Sequence, residues 1–378
     1  NDKYSNTSLD VTYGNQQKEM SWNADLGYQN QGYNWYGLPD NFGDGLAAED
    51  KEALINSIDE KQTYHNFYIG GKINFEESIF TGMSLKYNRF WDAFSSAENR
   101  FFVKPSFAFD IDQIKIKANF IVDYLGGSFD RNFYSEESLK YGFVNLGFSP
   151  SFTYVHEDLS LNVGVSVFYS ADNENSDSKF LMYPNVTASY KLVGDLMVFY
   201  AGAEGTLQQN SYRDFTNENP FVSPTLFVAP TDRQYDLFAG LKGKLAGNVS
   251  YNVRGSYMSE KNKALFKYNS YDELNGNPEG YSFGNSFGVV YDNVKTISFF
   301  GELKADFNKS ISFGVNGTFN TYTSDEEAEA WNLPVYKFGT NVDVAITSKW
   351  YAGMNLFFIG DRKDQLRLLS DAEIIPPL

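Results

Sequence analysis

The sequence predicts an all-β protein, an antiparallel transmembrane β-barrel of about 18 or more strands with long outer loops and one short loop helix. Three observations predict it: two-residue alternation over long strands, an aromatic-rich but hydrophilic composition, and connections that alternate between tight turns and long polar excursions. Residues 1–378 are expected to form a single barrel domain in a bacterial outer membrane.

The alternation comes first because it is the most specific signal. In the stretch LSLNVGVSVFY, Leu159, Leu161, Val163, Val165, Val167 and Tyr169 share one face, while Ser160, Asn162, Gly164 and Ser166 share the other. Such a period of two is that of a strand. The same pattern sets Ile114, Ile116, Ala118, Phe120, Val122 and Tyr124 against Lys115, Lys117, Asn119 and Asp123. It sets Val249, Tyr251, Val253 and Tyr257 against Ser250, Asn252, Arg254 and Ser256. It also sets Ile297, Phe299, Leu303, Ala305 and Phe307 against Ser298, Glu302, Lys304 and Asp306, and Ile311, Phe313, Val315 and Phe319 against Ser312, Asn316 and Thr318. A tilted strand crosses the hydrocarbon in about 9–11 residues. Charges recurring on the second face suit a watery lumen better than a soluble sandwich.

Composition agrees. Aromatics make up 17% of the chain, with 34 Phe, 27 Tyr and 5 Trp, yet the mean hydropathy is −0.41. A barrel reconciles the two, spreading aromatics over a lipid-facing belt and lining its lumen with polar groups. No run of apolar residues reaches the roughly 18 that a spanning helix needs, so strands must do the crossing. With 48 Asp+Glu against 31 Lys+Arg, the net charge of −17 argues against a nucleic-acid partner. There is no Cys, and His65 and His156 are the two histidines, which excludes disulfides, thiolate zinc sites and Cys nucleophiles.

The expected strands span approximately 4–13, 17–31, 62–75, 79–92, 99–109, 113–125, 138–155, 159–170, 179–192, 196–208, 234–245, 249–259, 263–271, 284–292, 295–307, 310–322, 333–347 and 350–360. Tight links fall at 110–112, 156–158, 193–195, 246–248, 308–309 and 348–349, and long excursions at 33–61, 126–137, 209–233 and 321–333. Short periplasmic turns opposite long outer loops are the asymmetry of outer-membrane barrels. Within the long outer loop 33–61, residues 47–59, with Leu46 just before them, place Leu46, Ala47, Leu54 and Ile55 at spacings of a short amphipathic helix, expected to pack over the barrel mouth. The chain stops at Ile374-Ile375-Pro376-Pro377-Leu378 in loop-like sequence, so further strands are expected after it.

Four stretches carry a resemblance: YNWYGLPD (33–40), ENPFVSPTLFVAPTDRQYDLFAGLKGKL (218–245), GNSFGVVYDNVKTISFFGELK (284–304) and FFIGDRKDQ (357–365). They resemble the barrel region of TonB-dependent-receptor-like outer-membrane proteins of the Bacteroidota type, without a plug domain. The resemblance implies solute transport across the outer membrane, or a non-transporting barrel subunit of a larger assembly such as an export or surface-lipoprotein machine. The partners to expect are outer-membrane lipids, lipopolysaccharide and surface lipoproteins or other outer-membrane proteins held by the long loops.

No set of residues supports an enzyme, a cofactor or a resident metal. Asp325, Glu326, Glu327 and Glu329 read as a solvated outer loop rather than a cation site, and the 172–177 run lacks the glycine and distant glutamate of a calcium loop. Residues 40–45 read as a turn. Lys115, Lys117, Lys242, Lys244, Arg254 and Lys304 form either a basic ladder for anionic solutes or, the favoured reading, cross-strand pairs with Glu204, Asp236, Glu302 and Asp306. Tyr124, Tyr169, Tyr190, Tyr251, Phe307 and Trp350 read as an interfacial girdle. Tyr33, Trp35 and Tyr36 are a weaker candidate for a sugar-stacking platform, and His156 has no nucleophile beside it to activate.

Overall fold

The computed structural model describes residues 4–35, 37, 38, 42–112, 114–271, 277–308 and 310–365. Tyr36, Asp40, Asn41 and the 374–378 terminus, all invoked above, lie outside these residues. Sixteen strands follow one another in a single antiparallel sheet whose spatial order is the chain order. They are β1 (Tyr4–Gln16), β2 (Met20–Asn34), β3 (Lys61–Phe75), β4 (Phe80–Asp92), β5 (Ala97–Ile111), β6 (Ile114–Phe129), β7 (Leu139–His156) and β8 (Leu159–Asp172). They continue as β9 (Asp177–Val193), β10 (Met197–Gln208), β11 (Thr231–Ala246), β12 (Val249–Asn269), β13 (Ser286–Asn308), β14 (Ile311–Ser324), β15 (Tyr336–Ala345) and β16 (Tyr351–Ile359). β1 and β16 are the sheet's two edges, and the described residues of both are exposed throughout.

The sheet is inside-out relative to a soluble protein. Along β13, Ile297, Phe299, Leu303 and Phe307 are exposed, while Thr296 on the opposite face is buried. On β6 the exposed apolar residues are Ile114, Phe120, Val122 and Tyr124, and Asp123 between the last two is buried. Asn66, Asn88, Asn145, Ser166, Ser170 and Asn320 are likewise buried on the inner face. Apolar surface costs about 25 cal/mol per Å² in water, so an exposed belt of this extent is stable only against hydrocarbon. In the expected girdle, Tyr190, Phe307 and Trp350 are exposed near the short-turn end, and Tyr124 and Tyr169 nearer the other. Tyr251 is half-buried, its hydroxyl donating to the Leu196 carbonyl at 3.3 Å.

One end of the wall has tight connections, such as those between His156 and Leu159 and between Ala246 and Val249. The other has connections as long as the one from Asn34 to Lys61. This is the predicted asymmetry.

Two of the expected breaks are not turns. The spans 249–259 and 263–271 form the single strand β12, and 284–292 and 295–307 form the single strand β13. The polar run around Asn262 is a bulge: the β12–β13 register skips between Glu260 and Lys263, and Asn262 sits at φ 54. A bulge accommodates an extra residue without reversing the chain, and its local composition matches that of a turn. The resulting β12–β13 hairpin reaches farther than its neighbours on the long-loop side.

Two helices complete the described structure. α1 (Ala48–Ser57) forms where expected but buries none of its residues, so it does not pack its apolar side over the mouth. Leu54 and Ile55 remain exposed. α2 (Tyr212–Glu218) lies in a segment read from sequence as a plain outer loop, and it buries Tyr212, Phe215 and Thr216.

Candidate functional site: a loop folded into the barrel mouth

The connection 209–230, between β10 and β11, does not project outward but turns into the barrel. Its start is encoded locally. Ser211 caps α2 by accepting the Asp214 N–H at 3.1 Å, and the helix ends where Asn219 N–H returns to the Phe215 carbonyl at 2.8 Å, one residue before Pro220. Tyr212 and Phe215, three apart, leave the helix toward different parts of the wall. The Tyr212 ring packs edge-on against Tyr64 of β3, Phe90 of β4 and Phe129 of β6, with centroids at 6.1, 5.2 and 4.9 Å. Phe215 meets Phe266 of β12 at 5.9 Å.

Beyond the helix, Phe221 and Ser223 make a short parallel bridge with β13. Phe287 N–H donates to the Phe221 carbonyl and Ser223 N–H to the Phe287 carbonyl, at 2.9 and 2.8 Å. Val222, Leu226 and Val228 are buried with Val289 in one cluster that also holds Tyr33, Tyr64, Phe90, Leu125, Tyr141 and Phe143. The loop therefore ties β2–β7 to β12–β13 across the lumen. Asn210 cinches its base, donating to the Ala229 carbonyl and the Thr231 hydroxyl at 2.8 and 2.9 Å.

Its attachment is also polar, which matters for whether it can move. Glu98 of β5 accepts the Tyr212 N–H at 2.6 Å, the Tyr141 hydroxyl at 2.8 Å and the Arg213 N–H at 3.3 Å. It thereby satisfies backbone donors that the first turn of a helix leaves unpaired. Asp92 of β4 accepts the Tyr212 hydroxyl at 2.7 Å and the N–H groups of Phe94 and Ser96, both at 2.9 Å. Arg100 grips Asp123 with Nε and Nη2 at 2.9 and 2.7 Å and reaches Asp214 of α2 at 3.3 Å. The Tyr33 hydroxyl donates to Tyr64, which donates to the Pro220 carbonyl at 3.1 Å.

Glu98 lies beyond the membrane-spanning part of β5. Outward-facing Asn99, one residue farther along, accepts from Arg89 at 3.0 Å, and the apolar belt begins at Phe101, paired with Tyr124 of the girdle. Burial raises the Glu98 carboxyl to about 7, against the lowering effect of its hydrogen bonds. Burial likewise raises the Tyr212 hydroxyl well above its usual value, reinforced by the neighbouring Asp92 charge.

Above the loop sits a second layer. Trp35, Phe133 and Tyr281 are buried against Phe94 and Phe221, and burial pushes the Tyr281 hydroxyl up to about 12. Tyr33 and Trp35 are thus core residues at the mouth and present no open stacking surface. The acidic loop is pinned by ion pairs. Glu327 accepts Lys267 at 2.8 Å and the Trp331 indole N–H at 2.6 Å, Glu329 pairs with Lys363 at 2.5 Å, and Asp325 lies 4.0 Å from Lys295. Asp172 caps its own turn, accepting the N–H groups of Glu174 and Asn175. His65 contacts the Tyr28 hydroxyl at 2.8 Å and stacks on Trp91 at 5.0 Å, whereas His156 stacks on Tyr154.

The six lumen cations divide. Arg254 pairs with Asp236 at 2.6 Å and Lys304 with Glu302 at 3.0 Å, as cross-strand and same-strand pairs. Among the described residues, Lys115, Lys117, Lys242 and Lys244 form no ion pair, nor do Glu204 and Asp306. Pairing thus accounts for only part of the predicted ladder.

The fold has counterparts among solved structures. The ferric-catecholate import receptor Fiu from E. coli K12 superposes with a TM-score of 0.61 at 9% identity, over 95% of this chain and 64% of its own. The copper transporter OprC gives 0.60 at 11%, over 93% and 58%, and the pyoverdine receptor FpvA of Pseudomonas aeruginosa PAO1 gives 0.59 at 12%, over 96% and 61%. The chain shares the barrel fold of these outer-membrane receptors and transporters. No family model and no curated protein sequence matches it. It spans about three fifths of the length of the structures it matches. Those neighbours are named as receptors and transporters, and the outward apolar belt described above is that of a barrel embedded in a membrane.

Proposed function

We propose that this protein is a TonB-dependent-receptor-like barrel of the Bacteroidota type that passes a solute across the outer membrane, with loop 209–230 closing its outer mouth. The observation that carries the reading is the polar docking of that loop. Beside the apolar cluster that its Tyr212, Phe215, Val222, Leu226 and Val228 join, the loop seats α2 on two buried carboxyl groups, Glu98 and Asp92. Hydrogen bonds of this kind exchange with water at a net cost of about 0.5–3 kcal/mol each, so the polar part of the docking is the part that water can replace when the loop is released. Planar-bilayer recordings of the full-length protein test the reading. Replacing residues 212–228 by a Gly/Ser linker is expected to raise conductance several-fold, and unchanged conductance would refute closure by this loop.

A role as a non-transporting subunit of a larger outer-membrane assembly is favoured by one observation. Leu54 and Ile55 of the acidic helix α1, with Leu46 just before it, are exposed at the mouth, a surface suited to a surface lipoprotein. A lipoprotein retained at fixed stoichiometry after mild extraction from native membranes, and lost when Leu54 and Ile55 are changed to Ser, would support it. Recovery of the barrel alone would rule against it. Lipopolysaccharide and phospholipid acyl chains are the expected neighbours of the outward belt.

A further inference from the structure

We propose that the inner wall of β10–β13 holds a binding site for an oxyanion carried on a flat apolar body, a carboxylate or phosphate ester of an aromatic compound. The register brings Tyr200, Gly240, Arg254 and Phe300 into one inward row, with Lys242 and Asn252 in the row beside it. Ser256 and Ser298 face each other in the row on the other side. All of these but Gly240 line a cavity of about 500 Å³ that opens on the lumen.

Gly240 makes room for the Tyr200 ring that forms one side of the cavity. A Cβ at Gly240 would lie 2.5 Å from the Tyr200 ring, so only glycine lets that ring lie across the wall. The Tyr200 hydroxyl donates to Asn252 Oδ1 at 2.6 Å, which occupies the amide's acceptor and leaves its N–H₂ end as the group to offer. Arg254 is fixed from two sides. Its guanidinium lies 3.9 Å from the Phe238 ring centroid, and Nη2 donates to Asp236. Lys242 Nζ sits 5.4 Å from the Tyr200 ring and has no ion pair among the described residues.

The site is therefore rich in donors and poor in acceptors. Lys242, Arg254, Asn252, Ser256 and Ser298 offer N–H or O–H groups, while Asp236 is engaged by Arg254 and Glu302 by Lys304, and Glu204 lies opposite Asp236, one inward row beyond the serines. Four cations (Lys242, Lys244, Arg254, Lys304) against three anions (Glu204, Asp236, Glu302) leave this part of the inner wall positive in a chain of net charge −17. Tyr200 and Phe300 supply aromatic faces for an apolar body. Charge-assisted bonds from a preorganised guanidinium and ammonium select an oxyanion, and a neutral ligand would leave those donors unanswered.

The inference names a solute class for the transport reading and rests on it for any role in passage, but binding is measured without passage. Isothermal titration of the full-length protein in detergent, at low ionic strength, uses benzoate, phenyl phosphate, inorganic phosphate and benzyl alcohol as probes. Saturable millimolar binding of benzoate or phenyl phosphate is expected, the tighter of the two naming the oxyanion, with inorganic phosphate at least tenfold weaker. Lys242→Gln is expected to weaken that binding at least fivefold and Lys242→Arg to keep it within twofold, both variants retaining the barrel's electrophoretic heat-modifiability. Benzyl alcohol binding as tightly as the anions, no saturable binding, or unchanged affinity in Lys242→Gln would each overturn the proposal. Closed bilayer recordings leave these affinities untouched, so the two readings fail separately.

Discussion

Replacing Tyr212 separates the two ways in which loop 209–230 is held. The ring is 1% exposed and is enclosed by Tyr64, Phe90 and Phe129, while its hydroxyl donates to the buried Asp92. Tyr212→Phe keeps the ring and removes the donor. Asp92 still receives the Phe94 and Ser96 N–H groups, so the loss is one hydrogen bond to a carboxylate, about 1.5–3 kcal/mol. Tyr212→Ala also empties an aromatic site, for which large-to-small substitutions cost about 3–5 kcal/mol. At 1.4 kcal/mol per factor of ten, the first variant should raise the undocked population roughly 10- to 100-fold and the second by more than about 100-fold. Hydrogen exchange of peptides covering 209–230, read by mass spectrometry in detergent, should rank wild type below Tyr212→Phe below Tyr212→Ala. Bilayer conductance should follow the same order. Wild-type protection of the loop in Tyr212→Ala would refute the claim that these contacts hold it.

Three further outcomes follow from the same structure. Docked, the Glu98 carboxyl sits at about 7, and released into water it returns to its ordinary value of about 4.5, so undocking sheds a proton. The docking is then strongest at low pH and weakens as pH rises from about 4.5 to 7, by about 3 kcal/mol at 1.36 kcal/mol per pH unit. Conductance should climb over that window, and Glu98→Gln should flatten the profile. Ser211→Ala removes the cap of α2 and should cost about 1 kcal/mol, seen as a several-fold faster proteolytic nick within 209–230 with the barrel intact. Phe299→Arg places a charge on the lipid face of β13 at about 2–4 kcal/mol, whereas Asn316→Arg on the inner face of β14 should be tolerated. Folding yields into lipid vesicles that are equal for the two would contradict the assignment of faces.

Much of the wall was legible in the sequence because a strand's two faces are written into it directly. Ile297, Phe299, Leu303 and Phe307 alternate with Ser298, Glu302, Lys304 and Asp306, and the structure turns the first set outward. Tight turns at 157–158 and 247–248 were visible for the same local reason. Asn262 was not: a bulge and a turn draw on the same polar residues, and only the partner strand shows that the chain runs straight on. The helix α2 had a local signature, Ser211 followed three residues later by Asp214, which the long-loop reading passed over.

The sequence by itself determined the class of fold, the orientation of its faces and the side that carries the long loops, since all three depend on periodicity and spacing along the chain. Only the tertiary structure decided that loop 209–230 folds inward and that Tyr33 and Trp35 are core. It also decided which of the lumen cations are neutralised. Each of those depends on residues far apart in sequence, Tyr212 with Asp92 and Glu98, Phe215 with Phe266, Lys242 with Tyr200. Such pairings are set by how a sixteen-stranded sheet curls, and no local pattern records them.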